Sequence, residues 1–147
     1  MFKNILVATD GSKLSAKAVA YAIRAAKCFG AKLTVCFATS RYAVGAYSEG
    51  VLYDAISEPK YEQLCRKEAA RILDAVARKI EAAGVKFSIA QAIASAPWRA
   101  ILATAKKSRC DVIIMASHGR RGVSALLLGS ETQKVLTHSK LPVIVVR

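Results

Sequence analysis

The residues with the clearest capacity for chemistry lie in one loop near the C-terminus. It reads Ala116-Ser117-His118-Gly119-Arg120-Arg121-Gly122, runs through Val123 to Leu128, and closes on Gly129-Ser130. The apolar run Val112-Ile113-Ile114-Met115 leads into it. Ser130-Glu131-Thr132-Gln133 leaves it with the spacing of a capping box that opens a short helix. Glycines between a strand and a helix let backbone N–H groups approach an anion with no Cβ in the way. The helix start adds unpaired N–H groups and the positive end of its dipole. Such a loop is suited to holding phosphate. Arg120 and Arg121 add guanidinium groups well shaped for the same anion, and His118 stands beside Gly119. Each feature also has an ordinary structural reading: turn glycines, solvent-facing arginines, and a serine that caps a helix.

Catalytic machinery is not visible around this loop. There is no Gly-x-x-x-x-Gly-Lys-Ser/Thr segment, no Ser-His-Asp order and no nearby pair of carboxylates. The nearest acid, Glu131, is a favourable first-turn helix residue and needs no other role. The sequence therefore reads as a binding protein rather than an enzyme.

The elements that must position the loop alternate along the chain. Phe2 to Thr9 is a short apolar run closed by Asp10-Gly11. Ser12 is placed to cap an amphipathic helix that runs to Phe29 and stops at Gly30. Leu33 to Ala38 reads as a second buried strand. Thr39 to Pro59 has no clear period and contains Gly45, Gly50, Tyr42, Tyr47 and Tyr53. Tyr61, Cys65, Ala69, Ile72, Val76 and Ile80 mark a long helix ended by Gly84, and Val85 to Ile93 alternates as a half-buried strand does. Pro97 suits the first turn of a helix reaching about Ser108. Val112 to Met115 and Val143 to Val146 complete five strands. Five strands joined by helices imply an α/β fold: an open, five-stranded parallel sheet with helices on both faces. In such sheets ligands bind beyond the carboxyl ends of the strands, where the strand order reverses. Thr9-Asp10-Gly11, Ala38-Thr39 and Ala116 to Gly119 would converge there if the first and fourth strands are neighbours.

Length and composition fit one globular domain spanning residues 1–147, with 54% hydrophobic residues. No apolar run approaches the roughly 18 residues of a membrane-spanning helix, and no signal peptide is visible, so a soluble, cytoplasmic protein is expected. The four cysteines are far apart in the chain and read as buried, reduced thiols. The charge balance, 23 basic against 10 acidic residues, invites a nucleic-acid reading. Lys13, Lys17, Arg24 and Lys27 form an acid-free stripe on the first helix, opposite Leu14, Ala18, Ala22, Ala25 and Phe29. No aromatics interleave with that stripe to stack bases, which ranks nucleic acid last among the readings.

With these residues in view, the chain resembles the universal stress protein family over essentially its whole length. Nucleotide-binding members carry Gly, two residues, Gly, nine residues, then Gly-Ser or Gly-Thr. Gly119, nine residues and Gly129-Ser130 match the later elements, while Ala116 stands in place of the first glycine. Thr9-Asp10-Gly11-Ser12 and the closing Leu141-Pro142-Val143-Ile144-Val145-Val146 match as well. The resemblance implies a Rossmann-like, adenine-nucleotide alpha-hydrolase-like fold that binds ATP or a related adenine nucleotide, with at most slow ATP hydrolysis. The implied contacts are Ala8, Thr9, Asp10, Ala38, Met115, Ala116, His118, Gly119, Arg120, Gly129, Ser130, Glu131 and Thr132. Gly119, Gly129 and Ser130 would meet phosphate, and Asp10 would sit near the ribose and reach Mg²⁺ through water. Asp10 also reads as an Asx turn closing the first strand. Ala38 would present backbone to adenine, and Met115 would pack on the base or simply in the core. The resemblance further implies a homodimer through Val143 to Val146, serving protein partners that the sequence does not identify. The alternative is a family member that has lost nucleotide binding through Ala116 and acts as an interaction module.

Overall fold

A computed structural model of the chain describes residues 1–40, 58–119 and 128–147. Its elements are β1 (Asn4–Ala8), α1 (Lys13–Phe29), β2 (Lys32–Ser40), α2 (Glu58–Ala82), β3 (Phe87–Ala94), α3 (Pro97–Lys107), β4 (Val112–Ala116), α4 (Ser130–His138) and β5 (Val143–Val146). The five strands form one parallel sheet in the order β3-β2-β1-β4-β5. The chain steps outward from β1 to β3, then returns to lay β4 against the other side of β1. The strand order thus reverses between β1 and β4, which meets the condition for the ends of β1 and β4 to lie side by side. Ile5, Leu6 and Val7 pair with Val112, Ile113 and Ile114.

Alternation divides the core into two layers. Ile5, Val7, Leu33, Val35, Val112 and Ile114 face α1 and α2, where Ala18, Val19, Ala22, Ile72 and Ile80 meet them. Leu6, Cys36, Ile113 and Met115 face the other way, toward Ile101 and Ala105 of α3 and Val135 of α4. Both faces of the three inner strands are covered, so their near-continuous apolar runs follow directly. Each fully buried Ile, Leu or Val contributes about 1.5–3 kcal/mol by leaving water. The edge strand β3 alternates in exposure, but not with the apolar residues inward: Ile89, Gln91 and Ile93 share the exposed side, while the small Ala92 packs toward the α3 layer. Among the described residues, no helix is long and apolar enough to cross a membrane.

Helix α1 forms where its local signals place it. The Ser12 hydroxyl accepts a hydrogen bond from the Ser15 N–H at 3.1 Å, and Gly30 ends the helix at φ 62°. The basic stripe is exposed. Its opposite side is less buried than the pattern suggests: Leu14 and Ala25 are half-buried, and Phe29 stays exposed while its ring meets Phe2 edge-on at 5.4 Å. The helix buries mainly small residues, so it lies close to the sheet and its larger flanking side chains stay at the margin.

Two of the four cysteines depart from the expectation. Cys36 and Cys110 are buried, but Cys65 on α2 is half-buried and Cys28 is exposed, because it sits about 200° around α1 from buried Ala26. Burial pushes the Cys36 thiol up to about 11, against a smaller downward pull from a hydrogen bond with Thr104. Burial also raises Cys110.

Candidate functional site

Three segments meet at the carboxyl edge of β1 and β4. The first is the turn after β1. The Asp10 carboxylate accepts the Ser12 N–H through Oδ1 at 2.9 Å, which is the Asx turn read from the sequence. Thr9 is buried, its hydroxyl 3.1 Å from that of Ser15, and the Gly11 N–H donates to the Thr9 hydroxyl at 3.3 Å. This turn is fastened from below, since the Thr9 N–H donates to the Cys36 carbonyl at 2.9 Å.

The second segment leaves β4. Ala116 is the last residue of the strand, in extended conformation and buried. It follows Val112 and Ile114 on the face toward α1, so its methyl points away from α4. The Ser117 N–H donates to the Val146 carbonyl at 2.9 Å, and the Ser117 hydroxyl lies 3.2 Å from His118 Nδ1. Gly119 then passes against Asp10. A Cβ built on Gly119 would lie 2.7 Å from Asp10 Oδ2.

The third segment is the start of α4. The Gly129 N–H donates to the Ser117 carbonyl at 2.8 Å. A Cβ on Gly129 would lie 3.0 Å from His118 Cα and 3.2 Å from its Cβ. The buried Thr132 hydroxyl donates to the Ala116 carbonyl at 3.0 Å, which ties the first turn of α4 to the end of β4. Neither Gly119 nor Gly129 has a positive φ. Close approach, and not backbone conformation, distinguishes both glycines: Gly129 packs on the His118 backbone, and Gly119 lies against the movable end of the Asp10 side chain.

The capping box is not formed. Gly129 is the N-cap of α4, at φ −60° and ψ 146°, with no side-chain cap; Ser130 is the first helical residue and is exposed. The close packing of Gly129 on His118 moves the cap one residue earlier than a serine-based reading places it. Glu131 does have a further role: its Oε2 accepts the Trp98 N–H at 2.7 Å. That carboxylate supplies α3 with the cap its own N-cap residue, Ala96, lacks. It also lies 3.9 Å from Lys134 Nζ.

The implied contact residues therefore divide. Asp10 lies against Gly119, and His118 against Gly129, while Ala8, Thr9 and Ala116 form the strand ends beneath them. Thr132 belongs to the same cluster, but its hydroxyl is used within the fold. Met115 packs in the buried layer against α3 and α4. Ala38 is half-buried near the end of β2, two residues beyond Cys36, which pairs with Ala8. Arg120, with Arg121 and Gly122, lies outside the described residues, as does most of the segment from Thr39 to Pro59. Sequence reasoning passed over Ser117, which joins β5, α4 and His118. Its hydroxyl between two singled-out residues was the available signal. A cavity of about 380 Å³ at this edge is lined by Lys13, Leu14, Lys17, Ser117, His118 and Arg147. Only His118 among its walls belongs to the implied contacts.

Comparison with known proteins places this arrangement. The sequence profile described as the Universal stress protein family matches residues 1–147. A universal stress protein of Thermus aquaticus is 34% identical over 147 residues, covering 100% of both chains. The YxiE universal stress protein of Bacillus subtilis is 35% identical over 152 residues, again covering 100% of both. Among solved structures, the universal stress protein UspA of Lactobacillus plantarum superposes with a TM-score of 0.76 at 26% identity, over 99% of this chain and 97% of that one. A universal stress protein in complex with cAMP gives 0.73 at 24% identity, over 99% and 97%. One from Archaeoglobus fulgidus in complex with dAMP gives 0.69 at 18%, over 99% and 98%. The chain belongs to the universal stress protein family.

Proposed function

We propose that this protein binds ATP or a related adenine nucleotide at the carboxyl edge of β1 and β4, and works as a nucleotide-responsive regulatory module. One observation carries the reading: Asp10 Oδ2 lies where a Gly119 side chain would begin, while Gly129 brings the start of α4 onto the exit of β4. A ribose-facing carboxylate, glycine backbone and a helix start thereby share one edge. The first N–H groups of α4 have no partner within the helix and suit phosphate. The Ser130 hydroxyl, exposed and free of capping duty, is available to the same anion. The methyl of Ala116 faces α1, so it does not obstruct an anion at α4. The complexes of related proteins with cAMP and dAMP agree with this ligand class.

Among the described residues no three His, Cys, Asp or Glu side chains gather to hold a metal ion. A Mg²⁺ would arrive with the nucleotide phosphates, and Asp10 is the carboxylate placed to meet its water shell. The exposed edge of β5 offers Val143 to Val146, each half-buried, for pairing with a second copy. Light scattering should then give twice the 15.7 kDa of one chain.

Calorimetric titration with ATP and Mg²⁺ tests the reading. Wild type should bind, and Ser130→Ala should weaken binding by about 1.5–3 kcal/mol, the worth of a hydrogen bond to a charged group. Absence of binding by wild type, with binding gained by Ala116→Gly, would establish the interaction-module alternative instead.

A further inference from the structure

The cavity beside His118 is not explained by the nucleotide contacts. Four of its six lining residues, Lys13, Lys17, His118 and Arg147, carry basic side chains, and none is acidic. They come from three separate elements: the first turns of α1, the exit of β4 and the end of β5. Lys13 is the first residue of α1, directly after its Ser12 cap, and the first turn contains no acid. A cation there opposes the helix dipole, which favours anions at that end. Lys17 follows four residues later on the same face, where like charges repel. The fold therefore concentrates positive charge where its own helix electrostatics disfavour it.

The walls suit a compact polyanion. The Ser117–His118 contact at 3.2 Å engages Nδ1 and leaves Nε2 as the ring's second polar atom. Ser117 is held by its backbone bonds to Val146 and Gly129, so the polar wall is fixed from both sides. Lys13 and Lys17 supply mobile ammonium groups, and Arg147 a planar fork suited to phosphoryl oxygens. Local breaches of electrostatic preference in an otherwise consistent fold mark functional sites.

We propose that this cavity binds the phosphoryl groups of a polyphosphate anion, through Lys13, Lys17, His118 and Arg147. Two sources share that chemistry: the distal phosphates of a nucleotide held at the neighbouring edge, or a free inorganic polyphosphate. The cavity does not depend on the nucleotide reading, because Lys13, Lys17 and Arg147 take no part in it.

The test is titration of the full chain with tripolyphosphate at constant ionic strength, followed by ¹H–¹⁵N correlation spectra. Saturable shifts are expected at the Lys13, Lys17, Ser117 and His118 amides. The double variant Lys13→Gln/Lys17→Gln should bind at least tenfold more weakly while keeping the dispersed spectrum of the folded chain. Lys3→Gln/Lys27→Gln, which removes two charges at the opposite edge, should bind as wild type does. Non-saturating shifts, equal binding by the first double variant, or equal loss in the second would overturn the proposal. Parallel titrations with AMP and ATP separate the sources. If ATP binds more tightly than AMP and that advantage vanishes in Lys13→Gln/Lys17→Gln, the anion is the nucleotide's own tail. If AMP-saturated protein takes tripolyphosphate undiminished, and ATP gains nothing over AMP, the anion is free polyphosphate. If neither nucleotide binds, the nucleotide reading falls, and the tripolyphosphate result alone decides the cavity.

Discussion

The two edges of the sheet use the same residue types to opposite ends. At the amino edge, a cavity of about 480 Å³ has four lysines among its lining residues, Lys3, Lys27, Lys32 and Lys86, together with Gly30 and Gly84. Those glycines close α1 and α2 with φ of 62° and 70°, and a Cβ on either would touch nothing within 4 Å. Backbone conformation alone demands them. The lysines there sit by helix carboxyl ends, where cations complement the dipole. At the carboxyl edge, Gly119 and Gly129 have ordinary φ but close neighbours, the Asp10 carboxylate and the His118 backbone, and Lys13 stands at the wrong end of its helix. A basic cavity and a glycine thus mean little until the helix polarity and the backbone angle are known. The amino edge is explained by the fold itself, whereas the carboxyl edge retains charge and space that the fold does not consume.

The largest effect should come from filling the space at Gly129. Gly129→Ala drives a methyl against the His118 backbone and should cost about 1–3 kcal/mol, as overpacking does. It should also separate α4 from β4 and abolish nucleotide binding. Gly30→Ala should cost about 1 kcal/mol through its left-handed φ and leave binding intact. Asparagine separates the two causes. It tolerates left-handed backbone, so Gly30→Asn should be milder than Gly30→Ala, while Gly129→Asn should be no milder than Gly129→Ala. Urea denaturation reads all four variants. Equal relief by asparagine at both positions would dissolve the contrast between the edges.

Those glycines also mark how far the sequence could be read. Both ends of α1 and the span of β5 follow from local signals, because caps and alternation act within a few residues; the pairing of β1 with β4 joins segments more than 100 residues apart and stood in the sequence only as a condition. The spacing of Gly119 and Gly129 was equally legible. Its physical reason was not, since the atoms that fill the space, Asp10 Oδ2 and the His118 backbone, come from other segments. The same limit explains Ser130, which looks like a cap until Gly129 is seen packed on His118. It also explains Glu131, whose partner Trp98 lies 33 residues away. Arg147 in the basic cavity carried no sequence signal at all.

Glu131 gives the next effect in size. α1 is capped by its own Ser12, but α3 is capped from α4 across the carboxyl edge. Glu131→Ala should therefore cost about 1–2 kcal/mol, the usual loss for a missing helix cap. It should also perturb the emission of Trp98, the one tryptophan in the chain, whose ring lies 4.5 Å from His138. Glu131→Gln retains an acceptor and should recover part of both. An unchanged Trp98 spectrum in Glu131→Ala would mean that the two helices dock without the carboxylate.

The smallest effect compares the buried thiols beneath the two edges. Cys36, whose carbonyl anchors the carboxyl-edge turn, is fully buried; Cys110, just before β4 at the amino edge, is slightly less so. Burial raises both, Cys36 to about 11 from an ordinary 9.0. A thiol raised in the folded state stays neutral there while the unfolded chain releases its proton. Its contribution is thus intact below pH 9 and declines between about pH 9 and 11. For Cys36 the loss by about pH 9.5 is on the order of 1 kcal/mol. Denaturation midpoints across that range should fall in the wild type. Cys36→Ala should flatten the decline more than Cys110→Ala does, because the deeper thiol is the more strongly desolvated. A steeper flattening from Cys110→Ala would mean that solvent reaches the carboxyl edge more deeply than the amino edge, and that the carboxyl side of the sheet is the looser one.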